Sequence, residues 1–214
     1  MERRMLIARG SAELEIKRSR FIAVAAPVAS AAEAKRLIAS LRAEHSAASH
    51  VCSAYRVPAQ GEEPLAVRFD DDGEPKGTAG RPILEVLERE DVWRAAIAVV
   101  RYFGGTLLGA SGLVRAYAGA AAAALGAAGI GREQVIVELH VHVPYGLWDR
   151  FAHAYAERLA GVSPNYGADV ELTLAVPADE LAALQQELAD FGAGTLRLRV
   201  GGRKMQAVVE DSPK

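Results

Sequence analysis

Apolar residues recur along this chain with two periods, and a change of rhythm divides it. Over residues 12–28, Leu14 and Ile16 alternate with charged neighbours and Phe21-Ile22-Ala23-Val24 follows, which predicts a strand or a bent strand pair. Ser30 with Glu33 three residues later reads as a capping box, and Ala34, Leu37, Ile38 and Leu41 keep helical spacing behind it. Strands are predicted at 50–57, 65–69 and 95–103, with a short helix over 82–89. The glycine-rich stretch 104–112 leads into an alanine-rich helix over 113–128. This mixture predicts an α/β domain.

Gly126, Gly129 and Gly131 end that helix and place a boundary, so two domains are expected, 1–132 and 133–214. Beyond it Val135, Val137, Leu139, Val141 and Val143 alternate strictly, with Glu138, His140 and His142 on the other face. Pro144 begins a helical segment carrying Leu147, Trp148, Phe151, Tyr155 and Leu159 on one side. A hairpin is predicted around Asn165-Tyr166-Gly167, a helix from Pro177 with Leu181, Leu184, Leu188 and Phe191 inward, and a last strand through Leu196, Leu198 and Val200. The order is βαββαβ, the ferredoxin-like arrangement.

Composition narrows the class. With 214 residues, half of them hydrophobic and 24% charged, the chain is neither disordered nor fibrous. The single cysteine, Cys52, makes no internal disulfide and no four-thiolate zinc site. The basic start Met1-Glu2-Arg3-Arg4 is followed by no apolar run, and the weakly lipophilic stretch 116–128 is too short for a bilayer, so the expected location is the cytoplasm, without a membrane. The net charge of −2 conceals 18 Lys+Arg against 15 Asp+Glu before residue 133, and 7 against 12 after it. Neither half has the field of a protein that grips duplex DNA, although the first can present a local basic patch.

Three stretches suggest chemistry. The acidic turn Asp70-Asp71-Asp72-Gly73-Glu74, followed by Pro75-Lys76-Gly77-Thr78-Ala79-Gly80, offers Asp71, Asp72 and Glu74 as weak oxygen ligands for a hard cation. The spacing does not match an EF-hand, and the competing reading is a solvated acidic turn. The run Arg101 to Tyr117 combines strand, glycine-rich loop and helix, the order of an anion cradle made from amides and a helix dipole. Gly104 and Gly109 stand at P-loop spacing, but Ala110 occupies the lysine position, which argues against a P-loop NTPase. Ser111 is placed to cap the helix, and Arg115 to add a charged fork. The plain alternative is a tight turn with close helix–strand packing. In the third stretch, His50 and Cys52 share one strand face, and Val51, Ser53 and Tyr55 the other. A half-buried thiol is the default there rather than a nucleophile, and His140 with His142 lack a third metal ligand.

Long motifs then stand in a specific order. They are Ala48-Ser49-His50 with Tyr55-Arg56; Asp71-Asp72-Gly73-Glu74-Pro75, Gly77-Thr78-Ala79-Gly80 and Pro82-Ile83-Leu84; Val100-Arg101-Tyr102-Phe103-Gly104-Gly105 with Leu108-Gly109; and Gly112-Leu113-Val114-Arg115-Ala116-Tyr117. Together they resemble the signatures of the IMPACT family in its bacterial, YigZ-like branch, over essentially the whole chain. Ser111 stands where the family usually has glycine. The resemblance implies an N-terminal fold like the second domain of ribosomal protein S5. It implies a C-terminal ferredoxin-like fold like the fifth domain of elongation factor G, which Tyr166-Gly167-Ala168-Asp169-Val170 and Val176-Pro177 also resemble. Eukaryotic members of that family regulate translation by binding the large activator of a stress-responsive initiation-factor kinase.

The expected function is therefore a non-enzymatic binding protein acting on RNA, the ribosome or a translation factor, without a cofactor. The expected site is a polar groove of His50, Tyr55, Arg56, Arg101, Tyr102 and Arg115, with the loop residues Lys76, Gly77, Thr78, Gly104, Gly105, Gly109, Ser111 and Gly112. The alternatives are an enzyme or binder for a small phosphorylated ligand at the glycine-rich loop, and a module whose acidic C-terminal domain docks a basic protein.

Overall fold

The computed structural model describes residues 4–59 and 65–208. Met1, Glu2 and Arg3, on which part of the reading of the N-terminus rests, lie outside the described residues. Two compact units emerge: one runs to Glu133 and takes in the chain again from Ala207, and the other is Gln134–Gln206.

Unit 1 is built on an antiparallel sheet in the order β2-β3-β6-β4-β5. These strands are β2 (Gly10–Ile16), β3 (Ser19–Pro27), β4 (His50–Val57), β5 (Ala66–Asp70) and β6 (Ala95–Tyr102). A short first strand, β1 (Arg4–Leu6), pairs instead with the start of β7 (Ile130–Val143). Alternation sends Phe21, Ala23, Ala25, Ile97 and Val99 to one face, against α2 (Gly80–Arg89) and α3 (Ala110–Ala128). The opposite face, with Val24, Val51, Ala98 and Val100, packs on α1 (Ala31–Glu44). Because both faces are covered, β6 reads as an unbroken hydrophobic run although its neighbours are antiparallel. The capping box forms: Ser30 Oγ accepts the Glu33 N–H at 3.2 Å, and the Glu33 carboxylate reaches back to the Ala29 N–H at 2.7 Å.

The alanines of α3 have a steric purpose. Ala116, Ala120, Ala121, Ala124 and Ala128 are buried, and their small side chains let the helix lie close on the sheet. Tyr117 is the exception in size, fully buried with its ring edge-on to Phe21 at 5.3 Å. Such a pair adds about 0.5–1.5 kcal/mol beyond its buried area.

Unit 2 is the ferredoxin-like βαββαβ: the latter part of β7, α4 (Tyr145–Ala154), β8 (Asn165–Tyr166), β9 (Val170–Pro177), α5 (Leu181–Gly192) and β10 (Arg197–Val208). The sheet runs β10-β7-β9-β8, with Leu139 opposite Leu174 and Val141 opposite Leu172. Their inward side chains meet Phe151, Tyr155, Leu184 and Leu188 in one core, where Phe151 packs on Tyr155 and Phe191 at 4.7 and 5.8 Å between ring centres.

Several element ends differ from the sequence reading. The alanine-rich helix begins at Ala110 rather than 113, so Ser111 lies in its first turn and Gly109, with φ +74°, takes the cap position. β7 begins at Ile130, because Ile130–Arg132 pair with β1 before Ile136–Val143 pair with β9. Pro177 ends β9 opposite Ile136, and α5 starts only at Leu181 after a turn closed by the Glu180 N–H on the Pro177 carbonyl. The missing proline N–H is harmless at a strand end as well as at a helix start.

Candidate functional site

The acidic turn forms an internal brace. Asp71 Oδ1 accepts the amides of Ala79 and Gly80 at 3.0 and 2.8 Å, and Oδ2 accepts that of Gly77 at 2.7 Å. Ala79, the N-cap of α2, supplies no side-chain cap, so Asp71 caps the helix from eight residues upstream. Asp72 is equally occupied: Oδ1 binds Arg42 at 2.7 Å, Oδ2 accepts the Val51 N–H at 2.6 Å, and its carbonyl accepts His50 Nδ1–H at 2.7 Å. A carbonyl only accepts, which places the proton on Nδ1. Among the described residues, no group of three or more His, Cys, Asp or Glu is arranged to hold a metal ion. The carboxylates of Asp71, Asp72 and Glu74, weak cation ligands on the sequence reading, have amides, guanidinium groups and a phenol as their partners here.

Removing the Asp71 carboxylate strips three amides of their acceptor. Asp71→Ala is expected to cost about 2–3 kcal/mol in urea unfolding, with Asp71→Asn recovering part of the loss.

Glu74 lies under this turn and organises a buried polar cluster. Its Oε1 accepts Arg101 Nη1–H at 2.6 Å and the Tyr117 hydroxyl at 2.7 Å, and His50 Nε2 stands 3.9 Å away. The Arg101 and Glu74 side chains are only 6% and 3% exposed. Arg101 Nη2 reaches Ser19 Oγ at 3.4 Å, its guanidinium carbon lies 5.5 Å from the Phe21 and Phe103 ring centres, and its buried Nε–H has no acceptor among the described residues. Above the cluster opens a cavity of about 400 Å³ lined by His50, Gly73, Glu74, Pro75, Arg101, Phe103, Leu107, Leu108, Gly109, Ala110 and Leu113.

Cys52, on the same strand face as His50, donates its thiol to the Asp71 carbonyl at 3.0 Å. Burial pushes its pKa up to about 12 from an ordinary 9.0, and burial likewise drives the Tyr117 phenol upward. A thiol so protonated is no nucleophile near neutral pH. Both groups keep their protons longer in the folded chain than in the unfolded one. Stability is therefore expected to fall above about pH 9, by about 1.4 kcal/mol per pH unit for each group that ionises only on unfolding. Chemical denaturation at pH 8, 9.5 and 10.5 reads this slope. Over the same range Cys52 should resist alkylation by iodoacetamide until the protein unfolds.

The expected groove comes together only in part. His50, Arg101 and Gly109 line the cavity. Gly104 and Gly105 lie in the loop above it, but the Gly104 amide is spent on Ser19 Oγ at 3.2 Å and the Phe103 amide on Ser49 Oγ at 3.1 Å. Gly77 and Thr78 serve the brace, the Thr78 hydroxyl donating to the Pro75 carbonyl at 2.6 Å, and Lys76 is exposed beside them. Gly112 lies inside α3 against Leu108. Ser111 makes no cap, and Arg115 is exposed on α3 and does not line the cavity.

Three aromatic and basic candidates lie elsewhere. Tyr102 faces α1, its hydroxyl 3.0 Å from His45 Nδ1, because neighbours on a strand point to opposite faces. Tyr55 shares that face and lines a separate depression of about 480 Å³ with Lys35, Arg42, Arg68, Phe69 and Asp70. Arg56 sits near the other end of β4, its guanidinium 4.0 Å over the Trp93 ring and bonded to the Leu87 and Val92 carbonyls. Sequence reasoning also missed Tyr117 and Ser19. Tyr117 lies four residues after the inward Leu113, a spacing that marks it as core-facing, whereas nothing local marks Ser19.

Also unforeseen is the apolar rim. Leu107 is 82% exposed and Phe103 48%, both in the link between β6 and α3 and both lining the cavity. No helix is long and apolar enough to cross a membrane among the described residues.

Comparison with known proteins places these features. The Impact N-terminal domain matches residues 17–125, and a domain of unknown function (DUF1949) matches residues 141–195. The Escherichia coli IMPACT family member YigZ is 38% identical over 190 residues, covering 86% of this chain and 90% of its own. A solved structure described as that of an hypothetical protein is 34% identical, covers 98% of both chains and superposes with a TM-score of 0.59. The two-domain translational regulator Yih1 aligns with 58% of this chain and 48% of its own at 27% identity, with a TM-score of 0.35. With half its length inside the Impact N-terminal domain and a full-length relative at 38% identity, the chain belongs to the IMPACT family.

Proposed function

We propose that this protein is a binding protein of translational control, which contacts a protein of the translation apparatus through the face around the β6–α3 loop. The translational part rests on membership of the IMPACT family together with the role in translation that the resemblance implies for its eukaryotic members. The observation that carries the choice of face is Leu107, 82% exposed beside the half-exposed Phe103 and above the His50–Glu74–Arg101 cavity. Monomeric surfaces leave such clusters open chiefly where something docks. Between RNA and protein as the target, the side chains favour protein. Tyr55 and Tyr102, the expected stacking faces, lie on the α1 side of the sheet, and the Arg56 and Arg101 guanidinium groups are held by internal partners.

Addition of the protein to a reconstituted translation reaction, at concentrations near that of the ribosomes, tests the reading. Reporter yield is expected to change with wild type, and Leu107→Ser is expected to lose most of that effect while melting within about 0.5 kcal/mol of wild type, as an exposed substitution should. An unchanged yield with wild type ends the proposal. So does a Leu107→Ser variant that acts like wild type.

A further inference from the structure

Resting on that reading of the face, we infer that the partner presents an acidic segment with a large apolar anchor residue. The first reason is a charge imbalance. Three carboxylates of the neighbouring turn have internal partners, Asp71 the amides, Asp72 Arg42 and an amide, and Glu74 Arg101 and Tyr117, while the fourth, Asp70, is exposed and accepts only the Asp72 amide among the described residues. The cations are not spent. Lys17, Arg18, Lys76 and Arg115 are exposed, and none pairs with a carboxylate among the described residues.

Position joins Arg18 and Lys76 to the loop. The backbone of Arg18 lies so close to Gly104 that a side chain there would come within 2.0 Å of it. Lys76 follows the cavity-lining Pro75, and Arg115 lies within two turns of the start of α3. That helix begins without an acidic residue in its first turn and without a side-chain cap, which leaves the positive end of its dipole uncompensated. Leu107 and Phe103 line the cavity together with Leu108, Leu113 and Pro75, with Arg18 and Lys76 on the adjoining segments. An apolar centre inside a polar rim is the anatomy of a protein-docking surface. The complementary partner carries an apolar side chain for the cavity and carboxylates for the rim. A nucleic acid satisfies the rim and wastes the centre.

Fluorescence anisotropy with the full chain tests the partner's chemistry. The probe is a labelled sixteen-residue peptide with Leu and Phe at helical spacing among Asp and Glu. Its controls are a peptide with Lys for every acid, a peptide with Ser for every apolar residue, and a sixteen-nucleotide poly(U) RNA. The first peptide is expected to bind at least about tenfold more tightly than any control, and to weaken severalfold between 50 and 300 mM salt as rim charges are screened. Leu107→Ser, and separately Arg18→Glu with Lys76→Glu, should each weaken it about fivefold or more, with unchanged thermal melting as the folding control. Failure of the acidic peptide to bind overturns the inference. So does equal or tighter binding of the RNA or either control peptide, or indifference to both variants. The translation reaction reports the parent reading separately. If Leu107→Ser still abolishes the effect on translation while the peptides show no acidic preference, the face stands and its partner chemistry falls.

Discussion

Arg101→Ala is expected to destabilise unit 1 by about 3–5 kcal/mol, the cost of leaving a buried carboxylate without its counter-ion. The Arg101–Glu74 pair is 2.6 Å apart, and both side chains are almost wholly withdrawn from water. With the guanidinium gone, Glu74 retains the Tyr117 hydroxyl and a distant His50, too little to support a desolvated charge. The pair itself need not add net stability. Replacing both members, Glu74→Gln with Arg101→Met, is therefore expected to cost clearly less than Arg101→Ala alone, since no buried charge is left unpaired. Urea unfolding of the two variants decides this. An Arg101→Ala protein within about 1 kcal/mol of wild type would show that water reaches Glu74 and that the cluster is not sealed. A practical consequence follows for binding studies. Lost affinity in Arg101→Ala reports a damaged unit 1 rather than a lost contact, so Leu107, Arg18 and Lys76 are the informative positions.

Gly104→Ala should be the second large effect, about 3 kcal/mol or more. The added methyl would lie 2.0 and 2.1 Å from the carbonyl carbon and oxygen of Arg18 and 2.5 Å from the Ser19 amide nitrogen. Overpacking costs about 1–3 kcal/mol when side chains can yield, and more when they cannot. Here the obstructing atoms are backbone, in the tight link between β2 and β3 where Lys17 and Arg18 already hold positive φ. Relief requires the β2–β3 turn to separate from the β6–α3 loop, which would also pull Ser19 Oγ from the Gly104 amide and from Arg101. Thermal melting checks the stability, and Gly105→Ala is the natural contrast. Gly105 has open space around its Cβ position but φ +79°, so its cost is conformational and smaller, about 1–2 kcal/mol. Equal melting of Gly104→Ala and wild type would show that the two loops are free to part.

The elements themselves were legible in the order of residues. Strict alternation from Val135 to Val143 and the 3.6-residue spacing of Ala34, Leu37, Ile38 and Leu41 are local patterns, and burial of one face is all they need to become a strand and a helix. The Ser30–Glu33 cap spans three residues and formed as read. The βαββαβ order of unit 2 likewise follows from periodicity alone. Where the start of β7 was misplaced, the cause is a partner far away in the chain. β7 starts early because β1, more than a hundred residues upstream, offers Ile130–Arg132 a ladder.

The candidate site was legible as a list of residues and not as an arrangement. Arg101 and Tyr102 are adjacent in sequence, and the pleat sends one into the Glu74 cluster and the other toward α1. Local pattern cannot say which face receives α2 and α3. The carboxylates of the acidic turn resembled metal ligands because sequence displays acids but not the amides that Gly77, Ala79 and Gly80 turn toward Asp71. Periodicity, capping and turn chemistry act within a few residues and belong to the sequence. Charge pairing, burial and the leftover exposure of Leu107 come from segments tens of residues apart brought to contact distance, and only the folded chain determines them.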